Sequence, residues 1–280
     1  MVGPLDPLCM SNLLEIINPE ANALKARVAV FDFDGTISII RAGWIDVMVP
    51  MMVEPLLALN TSESEEEITS IVRGFVGQLT GRQTIYQMME FVDQITKRGG
   101  TPKDPLEYKH QYLDLLMVKI VDRRENLRSG KANPEDWMVP GTRRLLETLK
   151  DRGLTMYLAS GTDQIYMHEE ADLLDVSKYF DGVYGALDDY KSFSKKILIE
   201  RLIRDSEFAG EQFIGFGDGY VEIENVKEVG GVALGIASDE PDCVEVDPVK
   251  RERLIGVGAD WIVPNFTGFE ELTRAFFPGE

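Results

Sequence analysis

Residues 28–36 read Val-Ala-Val-Phe-Asp-Phe-Asp-Gly-Thr, a β-branched apolar run that stops at two carboxylates spaced two apart and then at Gly-Thr. The run predicts a strand buried on both faces, since a strand covered on one side only would alternate apolar with polar residues. Buried strands seldom end in paired acids. In extended backbone, residues two apart point the same way, so Asp32 and Asp34 share a face unless the chain turns between them. Gly35 favours an immediate turn, with Asp32 at the strand tip and Asp34 on the first bend. Two charges this close repel until a shared proton or a cation relieves them. A hard divalent cation held by oxygen is the simplest relief, and Mg2+ suits a site of few carboxylates plus a phosphate. Taken alone, the string is equally compatible with a tight turn whose acids are merely solvated.

The 280-residue chain is 44% apolar, enough for one large domain or two modest ones with a sizeable core. Its 48 acidic and 29 basic side chains give a formal charge of -19, which argues against nucleic acid or an anionic membrane as partner. A phosphate substrate would therefore need positive charge gathered locally. Cys9 and Cys243 show neither metal-ligand spacing nor a disulfide framework. No apolar run approaches the roughly 20 residues that span a bilayer. The first ten residues lack the basic start and apolar core of a secretory signal, so the expected location is cytoplasmic.

Residues 1–26 read as an N-terminal extension in which Leu13, Leu14, Ile16 and Ile17 make one apolar stripe, broken at Asn18-Pro19. From 40 to 136 the periodicity is helical, with helices expected over 44–59, 65–79, 83–97 and 104–127. Further on, helices over 142–152, 164–174 and 195–204 alternate with strands over 154–159, 182–186, 212–216 and 231–236, and 260–263 is expected as an edge strand. This alternation implies an α/β fold: a Rossmann-like, mostly parallel sheet with helices on both faces, built from 27–39 and 137–280 and interrupted by an all-helical insertion over 40–136. In such sheets ligands bind beyond the carboxyl ends of the strands. Three strands end there in polar residues: Asp32 with Asp34, Ser160, and Asp218.

Taken in order, residues 32–36, 158–162, a lysine near 195 and residues 217–222 resemble the haloacid dehalogenase superfamily in its phosphohydrolase branch, with 40–136 in the place of that family's helical cap. The resemblance implies a Mg2+-dependent phosphomonoester hydrolase. Its substrate would be a small soluble metabolite, a sugar phosphate or a phosphorylated acid, cleaved through an aspartyl-phosphate. On this resemblance Asp32 is the nucleophile, and Asp34 is first the general acid and then the general base. Ser160 and the Gly161 amide, at a helix N-terminus, bind the phosphoryl oxygens. Asp32, Asp34 through its backbone carbonyl, Asp218, and Glu222 directly or through water take the metal. Lys191, Lys195 and Lys196 all lie in the right neighbourhood for the phosphate-binding lysine. Lys195 is preferred because it opens the helix whose buried stripe is Leu198, Ile199 and Leu202. Glu224 lacks the offset of Glu222.

Departures from the family pattern narrow the choice. The second aspartate, Asp34, disfavours dehalogenase and phosphonate-cleaving chemistry, and the absence of histidine over 37–48 weakens a sugar-phosphate mutase. The alternatives are a phosphomutase of a sugar phosphate and a non-catalytic phosphometabolite-binding protein. Outside the motifs, Arg41 reads as a hinge or phosphate-side cation and Arg82 as a substrate contact, against the simpler reading that each is a solvated charge.

Overall fold

All four residues of β2 (Val28–Phe31) are buried, Ala29 and Phe31 in one apolar cluster and Val28 and Val30 in another, so this strand is covered on both faces. The computed structural model describes residues 13–189, 194–205 and 208–279. The remaining strands are β1 (Glu15–Ile16), β3 (Thr155–Asp163), β4 (Gly182–Ala186), β5 (Phe213–Gly217), β6 (Val232–Ile236) and β7 (Trp261–Val263). Their order in one seven-stranded sheet is β1-β7-β6-β5-β2-β3-β4, parallel throughout except for β1. Phe31 is in register with Leu158 of β3 and Phe216 of β5, so the carboxyl ends of these three strands come level. The Phe31 and Phe216 rings stack 4.2 Å apart beneath that edge. Because chain order runs outward in both directions from β2, a crevice opens above it, where ligands of doubly wound sheets sit.

Four helices leave the sheet between β2 and β3: α1 (Ile45–Leu57), α2 (Glu65–Gln78), α3 (Thr84–Lys97) and α4 (Pro105–Arg128). Local chemistry sets their starts. Ser64 and Glu67 form a capping box at α2, and Asp104 caps α4 ahead of Pro105. The other helices are α5 (Thr142–Asp151), α6 (Gln164–Leu173), α7 (Lys195–Asp205), α8 (Tyr220–Glu228), α9 (Pro248–Gly256) and α10 (Phe269–Phe276).

One expectation is corrected here. Within the 13–17 stripe Glu15 and Ile16 pair antiparallel with Ile262 and Trp261, and the Ile17 and Asn18 amides donate to the Asp260 carbonyl. In consequence 260–263 is not an edge, because β1 covers it. The Asp260 carboxylate, buried and held by Asn18, Lys227 and the Ala233 amide, knits this margin together.

Candidate active site

Asp32 follows the last residue of β2, and its amide donates to the Phe216 carbonyl at 2.9 Å, which ties it to the β5 edge. Its Oδ1 accepts from the Phe33 amide at 2.7 Å. The chain then turns through Gly35 at φ +72°, where a Cβ would run into the carboxylates of Asp218 and Glu240. Only glycine permits both the dihedral and the approach. Thr36 completes the turn: its Oγ1 accepts from the Asp218 amide at 3.0 Å, locking the 32–36 loop to the end of β5.

Asp34 faces β3. Thr162 Oγ1 donates to its Oδ2 at 2.7 Å, and Ser160 Oγ donates to the same atom at 3.4 Å while accepting from the Thr162 amide at 3.0 Å. Asp34 Oδ1 has no hydrogen-bond partner among the described residues, and the nearest cation, Arg41 Nε, stands 3.8 Å away. β3 runs to Asp163 with a register shift between Ala159 and Asp163, and α6 begins only at Gln164. Gly161 thus belongs to the bulged strand end, not to the helix N-terminus expected from sequence, so the helix dipole gives its amide no special standing.

Arg41 is buried and forms a two-pronged pair with Glu170 of α6, Nε to Oε2 and Nη2 to Oε1, each at 2.9 Å. Burial works against the guanidinium charge, but Glu170 and Asp34 outweigh it and hold the group above its ordinary range. Burial also pushes the Glu170 carboxyl up, against the pull of Arg41. The loop that places Arg41 is pinned by Arg123 of α4, which donates to the carbonyls of Ile40 and Ala42 at 2.7 and 2.8 Å.

Arg41 shares with the two aspartates and the β3 hydroxyls one cavity of about 100 Å³ at the carboxyl ends of β2, β3 and β5. From the sheet come Asp32, Asp34, Ser160, Gly161, Thr162 and Asp218; from the helical side come Met48, Thr84, Gln87 and Tyr112, with Arg82 from the loop joining α2 to α3. That loop sits hard on the sheet. A Cβ on Gly161 would press on the Arg82 carbonyl, and one on Gly219 would press on Gly81. Lys109 of α4 adds a buried tie, its Nζ 2.8 Å from both Asp163 Oδ1 and Asp188 Oδ1. The described residues therefore form a cleft between sheet and helices, with α1, α3 and α4 supplying its outer wall.

Sequence reasoning did not anticipate Glu240 and Lys250. Lys250 of α9 lies 3.1 Å from Asp218 Oδ2 and 2.5 Å from Glu240 Oε1, and Glu240 lines the cavity. Burial works against the Lys250 charge, but Asp218 and Glu240 outweigh it and hold the ammonium above its usual range. The one available signal was topological: α9 follows β6, whose carboxyl end opens on the same crevice. Glu222 is fully buried on the first turn of α8, its carboxylate against Gly217 and Gly219, and is not in the cavity wall. Lys191 lies outside the described residues. Lys195 opens α7, but its side chain is also outside them. Lys196 pairs with Glu228 at 2.8 Å on the surface.

Does this donor set suit a divalent cation? Asp32, Asp34, Asp218 and Glu240 bring four carboxylates to the cavity wall, against the two guanidinium groups of Arg41 and Arg82. That excess of hard oxygen donors fits a small cation and would repel a phosphate in its absence. Among the described residues no three His, Cys, Asp or Glu side chains form a ready ligand cluster. Mg2+ does not need one, since it keeps waters and uses one or two carboxylates plus substrate oxygens.

The sequence model of the haloacid dehalogenase-like hydrolase family matches residues 26–230, and the chain belongs to that family. Solved structures agree on the fold. A haloacid dehalogenase-like family hydrolase from Streptococcus pneumoniae is 20% identical at TM-score 0.56, covering 89% of this chain and 98% of that one. A predicted phosphoglycolate phosphatase from Haemophilus somnus is 15% identical at TM-score 0.55, covering 89% and 98%. A β-phosphoglucomutase from Clostridium difficile is 13% identical at TM-score 0.58, covering 89% and 96%. No curated protein matches the sequence significantly. Among the described residues, no helix is long and apolar enough to cross a membrane.

Proposed function

We propose that this chain is a Mg2+-dependent phosphomonoester hydrolase of a small phosphorylated metabolite, working through an aspartyl-phosphate on Asp32 beneath a closing cap formed by residues 40–136. The observation that carries the reading is the gathering of Asp32, Asp34, Ser160, Thr162 and Asp218 around one cavity with Arg41 and Arg82 in its wall.

In this reading the Asp32 carboxylate attacks phosphorus and the bond to the leaving oxygen breaks. Asp34 protonates that oxygen; the Thr162 hydroxyl holds its carboxylate toward the reacting atoms, which frees the Ser160 hydroxyl for the phosphoryl group. Asp34 then takes a proton from the water that opens the aspartyl-phosphate. Ser160, the Gly161 amide and the lysine near 195, Lys195 by preference, cradle the phosphoryl oxygens. Asp32, the Asp34 carbonyl and Asp218 would hold Mg2+, with Glu222 reaching it through water. When bound, the ion supplies charge neutralisation that lets a carboxylate approach a phosphate dianion. Trp44 and Met48 exclude water from one wall, Arg41 and Gln87 offer donors to a polar leaving group, and the cavity's small size favours a small substrate.

The test is phosphate release over a panel of phosphorylated metabolites with Mg2+, repeated after chelation. Turnover of small phosphomonoesters that stops on chelation and returns with Mg2+ is expected. Phosphate returned to the sugar would make the chain a mutase, and calorimetric binding without turnover would make it a binding protein.

Asp34→Asn should lower kcat about 10²–10⁴-fold, as loss of a positioned acid and base does. The loss should be steepest for alkyl phosphates and mildest for aryl phosphates, whose leaving oxygens need no proton. Parallel rates for variant and native enzyme across a leaving-group series would remove Asp34 from this role.

A further inference from the structure

We propose that Lys250, backed by Glu240, is a positioning residue that aims the Asp218 carboxylate at the metal; this rests on the function proposed above. The three groups come from separate elements: Asp218 from the end of β5, Glu240 from the loop after β6, and Lys250 from α9. The Lys250 ammonium bridges Asp218 Oδ2 at 3.1 Å and Glu240 Oε1 at 2.5 Å.

The backbone beneath this contact is fixed. Asp247 caps α9, its Oδ1 accepting from the amides of Val249 and Lys250 at 2.8 and 2.9 Å, and the Asp247 amide donates to the Ala237 carbonyl at 2.8 Å. The lysine stem therefore starts from a pinned turn at the carboxyl edge of β6. The missing Cβ of Gly35 leaves room for these same two oxygens, Asp218 Oδ2 and Glu240 Oε1, against the 32–36 loop. Nothing in the proposed chemistry requires a lysine beside Asp218.

What it provides is orientation. A carboxylate has two oxygens, and with Oδ2 engaged by Lys250 the other is the one left to a cation, which then takes one oxygen rather than both. Glu240 balances the ammonium, so Lys250 adds direction without adding net positive charge beside the ion. Outer partners of metal-ligating carboxylates commonly change metal affinity about 10–100-fold when removed.

The experiment is calorimetric titration of the metal-free full chain with Mg2+, without substrate, with thermal unfolding to confirm the fold. Lys250→Met is expected to raise the Kd for Mg2+ about 10–100-fold. Glu240→Gln should raise it less, and Lys250→Arg should fall between native and Lys250→Met. A folded Lys250→Met with unchanged Kd overturns the proposal, and so does tighter binding, which would mean that the ammonium merely repels the ion. Should Lys250→Met fail to fold, unchanged Kd in both Lys250→Arg and Glu240→Gln overturns it equally. Asp218→Asn separates the two levels of the argument: if it binds Mg2+ like the native chain, the site assignment itself fails, whereas if it loses binding and Lys250→Met does not, only the positioning role fails.

Discussion

An Asp32→Asn variant is expected to release phosphate from an aryl phosphate at least about 10⁴-fold more slowly than the native chain, as loss of a covalent nucleophile does elsewhere. The same variant should unfold at the native temperature or slightly above it. Asn keeps the shape of the side chain and an Oδ1 able to accept from the Phe33 amide, which Asp32 engages at 2.7 Å. It also removes one of four carboxylates from the cavity wall, easing repulsion among Asp32, Asp34, Asp218 and Glu240. The two readouts therefore move apart: activity collapses while the melting temperature holds. A purely structural role for Asp32 predicts the reverse, a stability loss with proportionate activity. Retained turnover in a folded Asp32→Asn would end the nucleophile assignment, and no adjustment of the metal site would restore it.

The part of this arrangement visible in the sequence was the part that violates local expectation. An acid or hydroxyl closing a buried apolar run is anomalous at Asp32, Ser160 and Asp218 alike, and parallel register brings those ends level. Helices α1 to α4 were legible because apolar periodicity and the breaks between them agreed. Groups whose role depends on a distant partner were not. Glu170 lies 129 residues from Arg41 and sits in an ordinary helix, so no spacing rule connects them. Lys250 and Glu240 reach Asp218 across β6 and α9, and a lysine in the first turn of a helix reads as a solvated charge. The two-residue strand β1 was not legible for a related reason: the partners that make it a strand, β7 and the Asp260 carbonyl, lie some 240 residues away in the chain, and nothing local marks it as one.

Glu170→Leu should be the most damaging single change to the fold outside the apolar core, at about 3–5 kcal/mol. The native pair is buried at both ends, Arg41 at 5% and Glu170 at 0% exposure, and its two hydrogen bonds are each 2.9 Å. Burial raises the Glu170 carboxyl even with Arg41 in place, so much of the attraction offsets desolvation and the pair adds little net stability. Removing one partner is different, because the buried guanidinium then loses both its hydrogen bonds to a carboxylate and keeps only Asp34, 3.8 Å from Nε, as counter-charge. A double variant, Arg41→Met with Glu170→Leu, should recover most of the loss, since two apolar side chains replace two desolvated charges. Its turnover should nevertheless stay low, because Arg41 lies 3.8 Å from Asp34 in the cavity wall and neither replacement supplies a donor there. Thermal unfolding read beside phosphate release distinguishes the outcomes. If the double variant is no more stable than Glu170→Leu, the buried-charge argument is wrong. If it is stable and fully active, Arg41 belongs to the architecture of the junction between β2 and α1 and plays no part in handling the substrate.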